Sequence, residues 1–322
     1  MSVRSVRRRV ALVALVAVGL LAACGRPAGG AYPARDVQVV VPYPAGSAID
    51  ATARALVDVI NKQGKLGRRM QVVNKEGGAG SVGTTTVLNA KPDGYTVGIL
   101  PDGPLTLVPL TEDVSYDPKS ATVLSEVTTS PVLFAVPAGS PYRNVGDLVA
   151  AAKAKPETIT MGDGPLNYTV PAQKFEQLTG TRFKHIKFDG DQATTTALLG
   201  GNLDVGVMQL AGVTAQLKAG KLRVLGVASV APVDLARDIP TFRKQDVDLE
   251  WEAYNVVVAP KGLPDDARKK LADVVDAAVN SVEFADAAHE LGLVVSGLDG
   301  ESASNRLSLK SEEAAKLLAP PK

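Results

Sequence analysis

Cysteine occurs once in this chain, at Cys24, so no disulfide can form within it and the core must stand on burial alone. Histidine is found only at His185 and His289. The first falls inside an expected strand and the second on a late expected helix, which reads as packing or surface placement. There is no H-E-x-x-H, no paired-cysteine metal spacing, no G-x-S-x-G and no Walker lysine. The sequence therefore offers no metal site, no cofactor and no catalytic residue, although carboxylates that folding brings together stay open. Aromatic residues are only 4% of the chain, which argues for an aliphatic interior over a carbohydrate-stacking surface. Neither sign of charge dominates, with 35 Lys and Arg against 34 Asp and Glu. Without a basic field nucleic acid is excluded as a partner, and any anion must be held by local groups.

What is present begins at the N-terminus. Arg4, Arg7, Arg8 and Arg9 precede Val10 to Ala23, a run without polar side chains, and Leu21-Ala22-Ala23-Cys24 closes it. Residues 1–23 read as an export signal with a small-residue cleavage site. The run is short of the ~20 apolar residues of a permanent span. Cys24 at that position resembles a bacterial lipobox cysteine, whose thiol is lipidated; the alternative is an ordinary cleaved signal. Without the four leader arginines the balance is 31 basic against 34 acidic residues, a net charge of −3. Residues 24–34, rich in Gly, Pro and Ala, read as a tether. The expected location is extracytoplasmic, lipid-anchored to the cell membrane.

From Asp36 onward, short β-branched runs alternate with helical periodicity. Strands are expected at Val37 to Val41, Met70 to Asn74, Tyr95 to Leu100, Val132 to Val136, Ile159 to Met161, Phe183 to Lys187, Val205 to Gln209, Leu222 to Ser229 and Glu252 to Ala259. Ile49, Ala53, Leu56, Val57 and Ile60 recur at helical spacing, and further helices are expected at Val145 to Lys155, Pro171 to Thr179, Asp191 to Leu199 and Val213 to Ala219. Three more follow near Pro264 to Asn280, Phe284 to Leu291 and Glu301 to Leu318. So many strand units favour an α/β fold of two lobes, each a mostly parallel sheet flanked by helices, with a ligand cleft between them. Residues 35–130 plus 251–322 would form lobe 1 and residues 131–250 lobe 2. The strands around Val132 and Val257 would cross between lobes, and the C-terminal helices would return to the first. Ligands of such sheets sit at the strands' carboxyl ends.

Four glycine-containing strand-to-helix turns could ring that cleft. Pro42-Tyr43-Pro44-Ala45-Gly46-Ser47-Ala48-Ile49-Asp50 opens the first long helix with a capping-box-like Ser47 and Asp50. The unpaired amides of a helix's first turn attract a carboxylate; the plainer reading is that Ser47 and Asp50 only cap the helix. The second turn holds a G-x-G-x-x-G at Gly78, Gly80 and Gly83, with Asp102 near the place of a ribose-binding acid. Lys75, Glu76 and Gly77 separate it from its strand, and Pro92 leaves room for only a short helix, so a dinucleotide site is not expected. Gly162 to Thr169 and Phe188 to Gln192 are the third and fourth turns.

Taken together, these residues resemble the Bug-type solute-binding proteins of the tripartite tricarboxylate transporter family, from Tyr32 to about Leu318. The most specific stretches are Val40-Val41-Pro42-Tyr43-Pro44-Ala45-Gly46 with Asp50, Pro92-Asp93-Gly94-Tyr95-Thr96, Leu198-Leu199-Gly200-Gly201 with Asp204, Lys218 to Arg223, Ile239-Pro240-Thr241 and Ala259 to Pro264. The resemblance implies a two-lobed binding fold that closes on a small organic acid and hands it to membrane permease subunits, the protein acting as a monomer. By position it nominates Tyr43, Ala45, Gly46, Ser47, Ala48 and Asp50 in the first lobe. In the second it nominates Gly162, Asp163, Gly164 and Asn167, with Asp189, Gly190 and Gln209. The chain departs from the family pattern at Ala45-Gly46-Ser47, at Asn74-Lys75-Glu76-Gly77 and at Gly162 to Thr169, which has no histidine. Asp163, Asp189 and Asp191 add negative charge. Like charges ~4 Å apart repel by about 4 kcal/mol at an effective dielectric near 20, so a monocarboxylate or a donor-bearing acid is expected over citrate. An exported α/β hydrolase of a small acid derivative, and a binding protein serving a sensor kinase, remain alternatives.

Overall fold

The computed structural model describes residues 32–229, 233 and 237–319. The leader, Cys24 and most of the expected tether lie outside the described residues. The tether's last residues are docked: the Tyr32 hydroxyl donates to the Gly94 carbonyl at 2.6 Å, and Ala34 N–H donates to the Tyr95 hydroxyl at 2.8 Å.

The first lobe begins with β1 (Val37–Val41), α1 (Ala48–Gln63), β2 (Met70–Asn74), α2 (Ser81–Leu88), β3 (Thr96–Pro101) and a single helical turn, α3 (Gly103–Thr106). β1 reads Val-Gln-Val-Val-Val because a parallel strand is buried on both faces. Val37, Val39 and Val41 join one core with Ile49, Ala53, Leu56 and Ile60 of α1, while Val40 joins the other with Val87, Leu88 and Leu100.

The chain then enters β4 (Ala121–Pro137), a strand of 17 residues. The second lobe follows as α4 (Val145–Ala154), β5 (Thr160–Asp163), α5 (Leu166–Thr179), β6 (Lys184–Lys187), α6 (Asp191–Leu199), β7 (Val205–Gln209), α7 (Leu210–Lys218) and β8 (Leu222–Val227). β9 (Glu252–Pro260), α8 (Asp265–Val279), α9 (Val282–Glu290), β10 (Val294–Val295) and α10 (Gly300–Leu318) complete the chain.

Strand order is β2-β1-β3-β9-β4-β7-β5-β6, with β8 and β10 also on β4. β2, β1 and β3 run parallel, as do β7, β5 and β6; the pairings of β4 and β9 are antiparallel. β4 pairs with β9 from Ala121 to Pro131, and with β7 and β8 from Val132 onward. Within its second part, Val132, Phe134 and Val136 face one core, and Leu133 and Ala135 the other, as strand alternation requires. Phe134, Phe175 and Phe242 meet edge to face at 4.9 to 5.7 Å between ring centroids.

Several elements differ from sequence expectation. Hydrophobic pattern locates β4 only from Val132, because Ser125, Glu126, Thr128, Thr129 and Ser130 are polar yet buried. β9 is no second crossing strand; its ladder partners are β3 and β4 of the first lobe. α5 starts at Leu166, so Pro171 lies inside the helix and not at its start. α7 likewise begins at Leu210, earlier than its apolar spacing suggests. α8 and α9 pack on the first lobe, whereas α10 spans both: Leu307 joins the first-lobe core and Ala314 the second-lobe core.

The glycine-rich turn after β2 serves packing. A Cβ on Gly83 would lie 2.6 Å from the Pro42 Cα and 2.7 Å from the Lys75 carbonyl oxygen. Backbone cannot yield as a flexible side chain does, so Gly83→Ala is expected to destabilise the protein by about 2 kcal/mol. Gly139→Ala, with open space around it, should stay within about 0.5 kcal/mol. Equal denaturation midpoints for both variants would contradict this account.

Candidate functional site

The carboxyl ends of the parallel strands in both lobes lead into helices, and a cavity of about 600 Å³ lies among these junctions. Its first-lobe wall includes Tyr43, Ser47, Ala48 and Ile49 after β1, then Ala79, Asp102 and Gly103. Its second-lobe wall includes Gly164 to Tyr168 after β5, Lys187 and Gly190 after β6, and Gln209 and Ala211 around the start of α7. Ser130, Ala253 and Asn255, from the paired β4 and β9, also line it, and Pro101, Pro104, Leu107, Val108 and Leu293 supply apolar surface.

Helix α1 begins at the wall with Ser47 as its cap, whose hydroxyl accepts from Asp50 N–H at a long 3.4 Å. Ala48 and Ile49 are its first two residues, so their amides have no intrahelical acceptor. Asp50 is 2% exposed and holds the loop from behind. Its carboxylate accepts from Gly46 N–H and Arg54 Nε at 2.9 Å and from Asn74 Nδ2 at 2.8 Å. Burial pushes the Asp50 carboxyl up, but hydrogen bonds from Arg54, Gly46 and Asn74 outweigh it and leave the group below its ordinary value. Gly46 takes a φ of +84°, a left-handed turn that directs its amide back to this carboxylate.

Four helices of nine or more residues start at the wall: α1, α5, α6 and α7. A helix start offers unpaired amides and the positive end of its dipole; at α7 the Asp191 carboxylate already takes the Gln209 amide. Among the described residues, the charged side chains on the wall are Asp102, Glu112 and Lys187. Asp102 is paired with Lys310 at 2.5 Å. Lys187 and these helix N-termini are positive features of the wall, set against the acids Asp102 and Glu112.

A sequence model of the tripartite tricarboxylate transporter family receptor (TctC) matches residues 52–315. The chain belongs to this receptor family. It is 30% identical over 255 residues to a UPF0065 protein of Bordetella bronchiseptica, covering 78% of this chain and 75% of that protein. The fold is similar to a TctC solute-binding protein from Polaromonas, with a TM-score of 0.80 and 27% identity over 89% of this chain and 99% of that one. The periplasmic binding protein BugD gives a TM-score of 0.72 and 26% identity, over 89% and 97%.

Seven positions that the sequence nominates stand on the wall of this receptor's cavity: Tyr43, Ser47, Ala48, Gly164, Asn167, Gly190 and Gln209. Six others do not. Ala45 is exposed outside the wall, and the Gly46 amide is occupied by Asp50, itself buried behind the loop. Gly162 lies within β5 beneath Leu203 and Phe188. Asp189 is exposed on its loop. Asp163 is 1% exposed and faces the β6 edge, where its Oδ2 meets His185 Nδ1 at 2.8 Å. Sequence reasoning missed Lys187, Ser130, Asn255 and Leu293. Lys187 carried a usable signal, being the last residue of a strand before a glycine turn; Ser130 was hidden in the polar half of β4.

The expected acidity of the second lobe is also offset. Asp191 turns its carboxylate to the Gln209 amide and the Tyr168 hydroxyl, and burial pushes its pKa up to about 6. His185, expected as packing or surface, bridges Asp163 and Glu176, the latter at 3.2 Å. Its hydrogen bond to Asp163, then that to Glu176, raises its pKa from 6.5 to about 9. A raised folded-state pKa means stabilisation that is whole below the unfolded value and lost as pH rises through the folded one. His185→Gln should therefore cost about 2 kcal/mol near pH 6, allowing for screening of a side chain 30% exposed. The gap between variant and parent in urea midpoint should close by about pH 10; a gap that widens with pH would reverse the assignment.

Proposed function

We propose that this receptor captures a small organic carboxylate outside the cytoplasm and delivers it unchanged to the membrane permease of a tripartite transporter. The observation that carries this reading is the convergence of four helix N-termini from two lobes on one cavity. A carboxylate oxygen accepts from the Ala48 and Ile49 amides and the Ser47 hydroxyl on one side. The first-turn amides of α5 meet it from the other, and Lys187 adds a full positive charge at the rim. The apolar surface of Leu107, Val108 and Leu293 excludes water and strengthens these bonds. In this reading the lobes divide at residues 130/131 and 250/251, close to the change of β4 partners between Pro131 and Val132 and to the start of β9 at Glu252, and they close about this seam on a monomer. Export by residues 1–23 and a lipid on Cys24 hold the receptor at the membrane. No described helix is long and apolar enough to cross a membrane.

A thermal-shift panel of small mono-, di- and tricarboxylic acids tests the capture step. At ~100 times its dissociation constant a bound acid adds about 2.7 kcal/mol to stability, and it should be recovered chemically unaltered. No stabilisation by any acid, or turnover of one, would defeat the reading. Asp50→Ala releases the loop carrying Ser47 and Ala48 and should weaken the best acid about tenfold, or ~1.4 kcal/mol. Unchanged affinity would remove this loop from the site.

The anchor has its own test. Cys24→Ser in the exporting cell should move the protein from the membrane fraction to the soluble one, whereas unaltered partitioning would exclude lipidation.

A further inference from the structure

Lys310, on α10, is 5% exposed, and burial lowers its pKa below the ordinary value of lysine against the opposing pull of Asp102. Its ammonium has three N–H donors and no acceptor. It donates to the Glu252 carbonyl at 2.6 Å and to Asn167 Oδ1 at 3.1 Å, and forms an ion pair with Asp102 Oδ2 at 2.5 Å. The rings of Trp251 and Tyr254 flank the nitrogen at 4.7 Å. Two donors are thus hydrogen-bonded and the charge is paired, with partners drawn from both lobes.

The consequence falls on Asn167. Its Oδ1 also accepts from the indole Nε1–H of Trp251 at 3.0 Å. Ammonium and indole N–H can only donate, so the amide's oxygen end must face them, and both of its lone pairs are filled. Rotating the amide would set its NH2 against two donors. The end left for the cavity is Nδ2, which has no hydrogen-bond partner among the described residues.

We propose that Asn167 is a specificity residue locked as a pure donor, with Lys310 and Trp251 as its positioning residues. It reads an oxygen acceptor on the ligand, a carboxylate or carbonyl, and rejects an ammonium at the same place. This rests on the carboxylate-receptor reading and narrows it. Of the two ligands the sequence leads one to expect, it favours at this end of the cavity the monocarboxylate over the acid that brings its own amine or amide donor.

The probes are acetate and methylammonium, titrated separately into ¹⁵N-labelled protein. The Asn167 side-chain amide signals are assigned by their loss in Asn167→Asp, and the Ala48 backbone amide reports the first-lobe clamp. Acetate is expected to shift both reporters, and methylammonium neither. Trp251→Phe keeps an aromatic ring beside Lys310 but frees one lone pair of Asn167, and should lower the acetate-to-methylammonium preference at Asn167 by about tenfold. Lys310→Met should do the same where it folds; Trp251→Phe carries the test where it does not. A loss of packing alone weakens both probes together and leaves the preference intact, which would overturn the proposal. So would an acetate response at Ala48 without one at Asn167, or equal responses of Asn167 to the two probes. Acetate moving neither reporter would remove the carboxylate reading itself.

Discussion

The hydrogen-bonding of β4 to two different sets of strands governs the geometry of this receptor. One backbone bonds to β9 up to Pro131, then to β7 and β8 from Val132. Proline has no amide to donate, and it stands at the changeover. Because both lobes build parallel strands outward from this common member, their carboxyl ends open on one cavity. The helices that follow those strands then aim their N-termini at the same volume. The anion capture proposed for this receptor is in this sense a result of topology before it is a matter of any one side chain.

Several acids on or behind the cavity wall are paired with cations, which limits their opposition to this dipolar field. Asp102 is met by Lys310, Asp163 by His185 and Asp50 by Arg54. Glu126, fully buried in β4, is met by Arg306, which also reaches Glu252. A buried acid left alone would be costly to fold and repulsive to an anion. Paired, each becomes scaffolding. α10 supplies both Arg306 and Lys310 and touches the cores of both lobes, so it ties the seam between them.

Sequence reasoning reached different depths at different residues. The β1 run of valines and the α1 apolar spacing identify their elements directly, since burial on two faces or one stripe leaves a periodic mark. The turn containing Ser47 and Ala48 could be named because capping chemistry is local. Asp50 and Asp163 were misplaced for the same reason: an acid beside a glycine turn looks alike whether it faces a ligand or a partner behind the loop. Their partners settle it, and Asn74 and His185 lie 24 and 22 residues away in sequence.

By itself the sequence determined the alternation of strand and helix, the glycine turns at strand ends and the local caps, because each depends on neighbours within a few residues. Only the tertiary structure decided which acids are neutralised, which of the two expected crossing strands serves both lobes, and which end of Asn167 meets the cavity. Those outcomes depend on contacts between residues far apart in the chain, such as Asn167 with Lys310 across 143 positions. Local periodicity carries no record of them.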